Sequence, residues 1–320
     1  MEKTIIHDHH HDGIDRRGFL KCMAWVGTGV LYSLSGGILR SETIGRQAGG
    51  PRIGNADFRF VQISDSHIGF KKEPNPNVTQ TLREAVDRIN ALPEPPDFII
   101  HTGDLSHLSK RAEFDTLEQV LKGAKTAQIF YVPGEHDVLT DNGENYRERF
   151  AKGTVGEGWY SYDHKGVHFI ALVNVLDLKA SGLGFLGHPQ LEWLQKDVTR
   201  LADSTPIVVF AHVPLWTIYP EWGWGTDDSE QALSYLRRFG SVTVLNGHIH
   251  QVLQKVEGRI QFHTARSTAF PQPAPGTAPS PGPIKNVPAE KLRSLLGLTS
   301  VTYVQNEKAL AVIDSTLADA

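Results

Sequence analysis

Five short motifs rich in histidine and aspartate punctuate this chain, and each directly follows a short apolar run of the kind that forms a buried strand. Asp65-Ser66-His67 follows 58–64, Gly103-Asp104 follows 97–101, and Gly134-Glu135-His136-Asp137 follows 128–132. His212 follows 206–211, and Gly247-His248-Ile249-His250 follows 241–245. In an extended segment, residues two apart point the same way, so Asp65 with His67, and His248 with His250, can each address one ion. Any one of these motifs alone is weak. A lone Asp-x-His is common, Gly-Asp after a strand is usually a turn, and a single histidine is more often a core or surface residue. Their ordered placement at the carboxyl ends of strands, where open sheets build their sites, points to one shared metal site.

Between these runs lie helical patterns. Segment 78–92 carries Leu82, Val86 and Ile89 on one face, and 112–124 carries Phe114, Leu117, Val120 and Leu121. Segments 189–201 and 229–239 also read as helices. Strands 159–163 and 167–175 predict a hairpin turned at Lys165-Gly166, and 252–256 with 259–264 a second one. Strands 300–305 and 309–314 close a sheet edge. The expectation is an α/β domain of two packed sheets with helices outside. Segment 270–288, rich in Pro, Gly, Ala and Ser, reads as an extended surface loop. Trp216, Tyr219, Trp222 and Trp224 crowd a Gly/Pro-rich stretch that either lines a site entrance or packs the loop on the domain.

Composition narrows the chemistry. The single cysteine, Cys22, lies outside the motif region, so no disulfide forms within one chain and metal ligands must be His, Asp, Glu or Asn. The formal net charge of −4 offers no basic excess for nucleic-acid binding.

The N-terminus reads as an address. Segment 15–21 resembles a twin-arginine export signal, with Arg16 and Arg17 followed by Phe19, Leu20 and Lys21 and then a weakly apolar run over 23–39. The expected division is a leader over 1–45 and one catalytic domain over 46–320. The expected partner is the twin-arginine export machinery, and the expected location is periplasmic or otherwise extracytoplasmic, with no stable membrane span after processing.

The ordered set of five motifs resembles that of the calcineurin-like metallophosphoesterase superfamily, over about residues 58–264, and is most similar to its bacterial cyclic-nucleotide phosphodiesterase-like branch. The resemblance implies a four-layer α/β/β/α sandwich of two mixed sheets flanked by helices. It implies two metal ions, Mn, Fe or Zn, and a phosphoester hydrolase in which a metal-bridging hydroxide attacks phosphorus in line. By motif matching, Asp65, His67 and His250 would hold one metal, His212 and His248 the other, and Asp104 would bridge them. His136 would sit over the phosphate, oriented by Asp137. Glu135 departs from the pattern, since the family has Asn there. It is either a metal ligand in a variant site, or a charge that repels an anionic substrate and leaves a non-catalytic metal-binding module. Phosphodiester and phosphomonoester substrates both fit these motifs. His101 and His107, flanking Gly103-Asp104, are expected to be structural or to support the ligands from behind.

Overall fold

The computed structural model describes residues 30–35, 38–43, 57–126, 128–179, 182–304 and 310–319. The chain divides into two compact units, Met1–Asn55 and Ala56–Ala320. In the first, β1 (Val30–Ser35) and β2 (Ile38–Thr43) pair as an antiparallel hairpin. The Arg16-Arg17 pair lies outside the described residues. Among the described residues, no helix is long and apolar enough to cross a membrane.

In the second unit, β3 (Phe58–Ile63), β4 (Phe98–His101) and β5 (Ile129–Tyr131) run parallel. Antiparallel β12 (Gly297–Tyr303) and β13 (Ala311–Thr316) extend them into a sheet of order β13-β12-β3-β4-β5. The other sheet has the parallel strands β7 (Val167–Ala171), β8 (Ile207–Ala211), β9 (Val242–Asn246) and β11 (Ile260–Thr264). Antiparallel β6 (Tyr160–His164) and β10 (Gln254–Glu257) close its edges, giving the order β10-β11-β9-β8-β7-β6. Both sheets are therefore mixed.

Period-two alternation assigns the faces. Phe58, Phe60, Phe98 and Ile100 of one sheet meet Phe169, Val208, Phe210 and Leu245 of the other in the layer between them. Phe60 lies flat against Phe98, ring centroids 5.0 Å apart, and meets Phe169 edge-on at 5.5 Å. The alternate residues Val61, Ile63 and Ile99 turn outward to α1 (Val78–Asn90) and α2 (Arg111–Leu121), through Leu82, Val86, Phe114 and Leu117. Ile207, Val209 and Val244 turn outward to α4 (His188–Thr199) and α5 (Ser229–Leu236). The result is the expected four-layer α/β/β/α sandwich. Each fully buried core side chain contributes roughly 1.5–3 kcal/mol, so the inter-sheet layer and the two sheet–helix layers all stabilise the frame. Two helices were not marked by periodicity, α3 (Glu144–Phe150) and α6 (Ala289–Leu295). Each has only about two turns, too few for an apolar stripe to register.

A buried histidine ties the second sheet to its helix layer. His168 on β7 sits between two carboxylates, with Nδ1 2.7 Å from Asp163 Oδ1 and Nε2 3.0 Å from Asp197 Oδ2. Burial alone would lower its pKa, but the hydrogen bonds to Asp197 and Asp163 outweigh that and raise it. A group whose pKa is higher folded than unfolded stabilises fully below its unfolded pKa, about 6.5, and loses that contribution as pH rises through the folded value. The urea midpoint is therefore expected to fall as pH rises above about 6.5, and to fall less steeply in His168→Gln. Equal slopes for the two proteins would contradict the assignment.

Candidate metal centre

The loops leaving β3, β4 and β9 adopt a backbone that ordinary residues avoid. Asp65 (φ 53°), His67 (41°), Asp104 (53°), His248 (70°) and His250 (55°) are five of the eight described non-glycine residues with positive φ. Each costs on the order of 1 kcal/mol or more, so the surrounding structure must impose it. It does so by stitching the loops together. Asp65 N donates to Gly103 O (3.0 Å), His67 N to Asp104 O (2.9 Å) and Gly247 N to His212 O (3.0 Å). The approach is close enough to require glycine: a Cβ on Gly247 would collide with Ser64 Oγ and Asp65 Oδ2, and one on Gly103, at φ 96°, with the His212 ring.

The stitched loops bring all seven predicted ligands together. Asp65, His67 and His250 offer ligand atoms within 4.8 Å of one another, and so do Glu135, His212 and His248. Asp104 lies between the sets, its Oδ2 3.4 Å from both His67 Nε2 and His212 Nε2. Asp65 Oδ1 is 3.3 Å from His250 Nε2. Glu135 stands on a 3-10 turn, Glu135–Asp137, after β5 and reaches into the second set. Its Oε2 is 2.9 Å from His212 Nε2 and its Oε1 3.0 Å from His248 Nδ1.

The donors fit metal ions. The His212 and His250 rings each donate Nδ1–H to a carbonyl, of Thr102 and Phe270 respectively, both at 2.6 Å. That leaves each Nε2 lone pair turned into the cluster. His212 Nε2 is buried and, despite the nearby Glu135 oxygen, makes no hydrogen bond of adequate geometry; His248 Nε2 is also buried without a hydrogen-bond partner. Burial alone would push the Asp65 and Glu135 carboxyls up, but the adjacent imidazoles hold both below the usual range. Carboxylate oxygens and imidazole nitrogens, with no sulfur, form a donor set suited to Mn, Fe or Zn.

The two residues after Glu135 part company. His136 Nδ1 donates to His107 O (2.8 Å), and its ring stacks on His107 at 4.8 Å and meets His67 edge-on at 4.7 Å. Burial would lower its pKa, yet the charges of Asp104 and Glu135 raise it. Asp137 does not orient that ring, contrary to expectation. Its fully buried carboxylate accepts from Leu105 N (3.0 Å), Ser106 N (2.7 Å), Ser106 Oγ (2.8 Å) and Gly134 N (2.9 Å). In a 3-10 turn successive side chains diverge by about 120°, which sends Asp137 inward while His136 faces out. Asp137 thus clamps the loop that presents Asp104. Burial, then the Asp104 charge, pushes its carboxyl up to about 7.

Behind the cluster, His101 holds Ser66 Oγ at 2.8 Å, and burial drives its pKa down to about 3. His107 instead faces a cavity of about 430 Å³ that opens on His67, Asp104, Glu135 and His136. The far wall comes from places the motifs do not mark: Phe70 and Lys72 before α1, and Phe270, Gln272, Pro283 and Lys285 of the Pro-rich segment. That segment therefore reaches over the site. The aromatic loop does not line this cavity. Trp224 is fully buried, Trp216 packs on Phe262 at 5.1 Å, and Trp222 stands edge-on to Trp224 at 5.1 Å, so packing is the role of these rings.

Known proteins resemble this chain in sequence and in fold. A model of the calcineurin-like phosphoesterase family matches residues 58–252, a stretch that holds every candidate ligand. The "Probable glycerophosphodiester phosphodiesterase GpdQ" of Arcobacter nitrofigilis is 25% identical over 223 residues, 65% of this chain and 77% of that protein. The serine/threonine-protein phosphatase CPPED1 of Danio rerio is 26% identical over 224 residues, 61% of this chain and 70% of that protein. The crystal structure of a dimetal phosphatase from Danio rerio superposes with a TM-score of 0.60 at 15% identity, covering 78% of this chain and 94% of that one, a likeness of fold. With the match covering most of the chain and all five motifs, the chain belongs to the calcineurin-like phosphoesterase family.

Proposed function

We propose that this chain is a binuclear metal-dependent phosphoester hydrolase that prefers diesters. The observation that carries the reading is Asp104 Oδ2, equidistant at 3.4 Å from a nitrogen of each ligand set, beside a cavity faced by His136. Asp65, His67 and His250 would hold one ion, His212, His248 and Glu135 the other, and Asp104 both. Two bound ions supply an activated water and neutralise charge on phosphorus substituents. The chain's own groups do the rest. His107 O fixes the His136 tautomer so that Nε2 faces substrate. Protonated there, His136 donates to a phosphoryl oxygen or hands a proton to the leaving oxygen. Phe70 and Phe270 keep bulk water from one side. The preference for diesters rests on the apolar wall of Phe70 and Phe270, against which a second alcohol portion can pack. We further propose manganese or iron as the working metals, and action outside the cytoplasm after twin-arginine export, supported by Arg16-Arg17 and the run that follows.

Hydrolysis of bis-p-nitrophenyl phosphate against p-nitrophenyl phosphate, by full-length chain supplied with manganese or iron, tests the preference. A higher kcat/KM for the diester is expected, and a higher value for the monoester would make the protein a phosphatase.

Glu135 supports a second reading, a non-catalytic metal-binding module, because its carboxylate stands where an anionic substrate would approach. The geometry favours ligation, since both of its oxygens face His212 or His248. Glu135→Ala is expected to lower bound metal from two toward one per chain and turnover by at least about tenfold. Unchanged metal content would contradict ligation, and a gain in turnover would favour the repulsive role.

A further inference from the structure

The cavity beside the metal centre has an apolar wall and a cationic rim. Phe70 and Phe270 form the wall, ring centroids 4.5 Å apart. Lys72 and Lys285 line the same cavity from two segments far apart in sequence, and both side chains are exposed. Among the described residues neither ammonium has an ion pair or a side-chain hydrogen bond. Glu73 shares the rim but makes no ion pair with either lysine among those residues. A single scissile phosphate would already be neutralised by the ions held at Asp104 and by His136. Two further cations within the same cavity are surplus to it, and an ammonium pair recognises anions as point charges.

We propose that the substrate carries a second anionic group, a phosphate in the first instance, on one of its alcohol portions, and that Lys72 and Lys285 hold it. This inference rests on the hydrolase reading and names its substrate class: a phosphoester with a second phosphate on a partly apolar body. Because the Lys285 half of the rim belongs to the Pro-rich segment, that segment sets specificity as well as covering the site.

The test uses a matched pair, thymidine 5′-(p-nitrophenyl phosphate) with and without a 3′-phosphate, on full-length, metal-loaded chain. At low salt, kcat/KM is expected to be about tenfold higher with the 3′-phosphate, through KM, and the ratio should shrink as ionic strength screens the exposed lysines. The double variant Lys72→Gln/Lys285→Gln is expected to bring the ratio close to one. A ratio near one in the unaltered protein, or an unchanged ratio in the double variant, would overturn the inference. Calorimetric affinities for thymidine 3′,5′-bisphosphate and thymidine 5′-phosphate decide it independently of turnover. Tighter binding of the bisphosphate that depends on the two lysines sustains it, and equal binding sinks it. Failure to hydrolyse either ester counts instead against the hydrolase reading.

Discussion

Asp104→Asn is expected to cost metal and activity together, with bound metal falling from two per chain and kcat/KM dropping by about a thousandfold or more. A bridging ligand must offer negative charge to both ions, and Asp104 Oδ2 lies 3.4 Å from a nitrogen of each set. An amide of the same size presents either a neutral oxygen or an NH₂ group that repels a cation. A thousandfold loss corresponds to about 4 kcal/mol of transition-state stabilisation, a magnitude reasonable for a two-metal clamp. Unfolding need not confound the result, since Asn retains an oxygen that accepts from His136 N, the partner of Asp104 Oδ1 at 2.9 Å. Elemental analysis beside diester kinetics checks the expectation. Two retained metals with full turnover would remove Asp104 from the bridge.

His136→Ala is expected to behave differently, with kcat falling by about a hundredfold to ten-thousandfold while metal content and KM stay near their normal values. His136 lies within ligand distance of Asp104 and Glu135, so metal retention is the informative readout. A ligand would take metal with it, whereas a proton donor would not. The ring stands in an open cavity, and free imidazole is expected to restore part of the lost rate. Loss of metal with kcat would make His136 a ligand, and full turnover would remove it from the chemistry.

Much of this was legible in the sequence because the site is built by local rules. Asp65 and His67, two apart in sequence, do share a ligand set, and the apolar runs before the motifs marked the strands; His248 and His250 do not, because positive φ at both turns their loop out of extended geometry and sends His248 to Glu135 and His212. Gly103-Asp104 read as a turn, and Gly103 and Gly247 are also what lets loops from different strands touch. What stayed hidden depended on chain separated by long stretches of sequence. Phe270 reaches His67, with ring centroids 4.8 Å apart, across about two hundred residues, and no periodicity announces such a contact. Nothing in the sequence marks Lys72 and Lys285, because only the folded chain sets them on one rim. Asp137 was misassigned for a local reason. Its neighbour in sequence is His136, but the tight turn sends it to the backbone of Leu105 and Ser106. The His136 partner, the carbonyl of His107, could not be seen because backbone groups carry no sequence signature.

The most direct test of the central claim is diester turnover during stepwise metal addition to metal-free, full-length chain. The account predicts that bis-p-nitrophenyl phosphate hydrolysis rises with added manganese or iron and saturates near two ions per chain, one for each ligand set joined at Asp104. Saturation at one ion, or two tightly bound ions without hydrolysis, would contradict it.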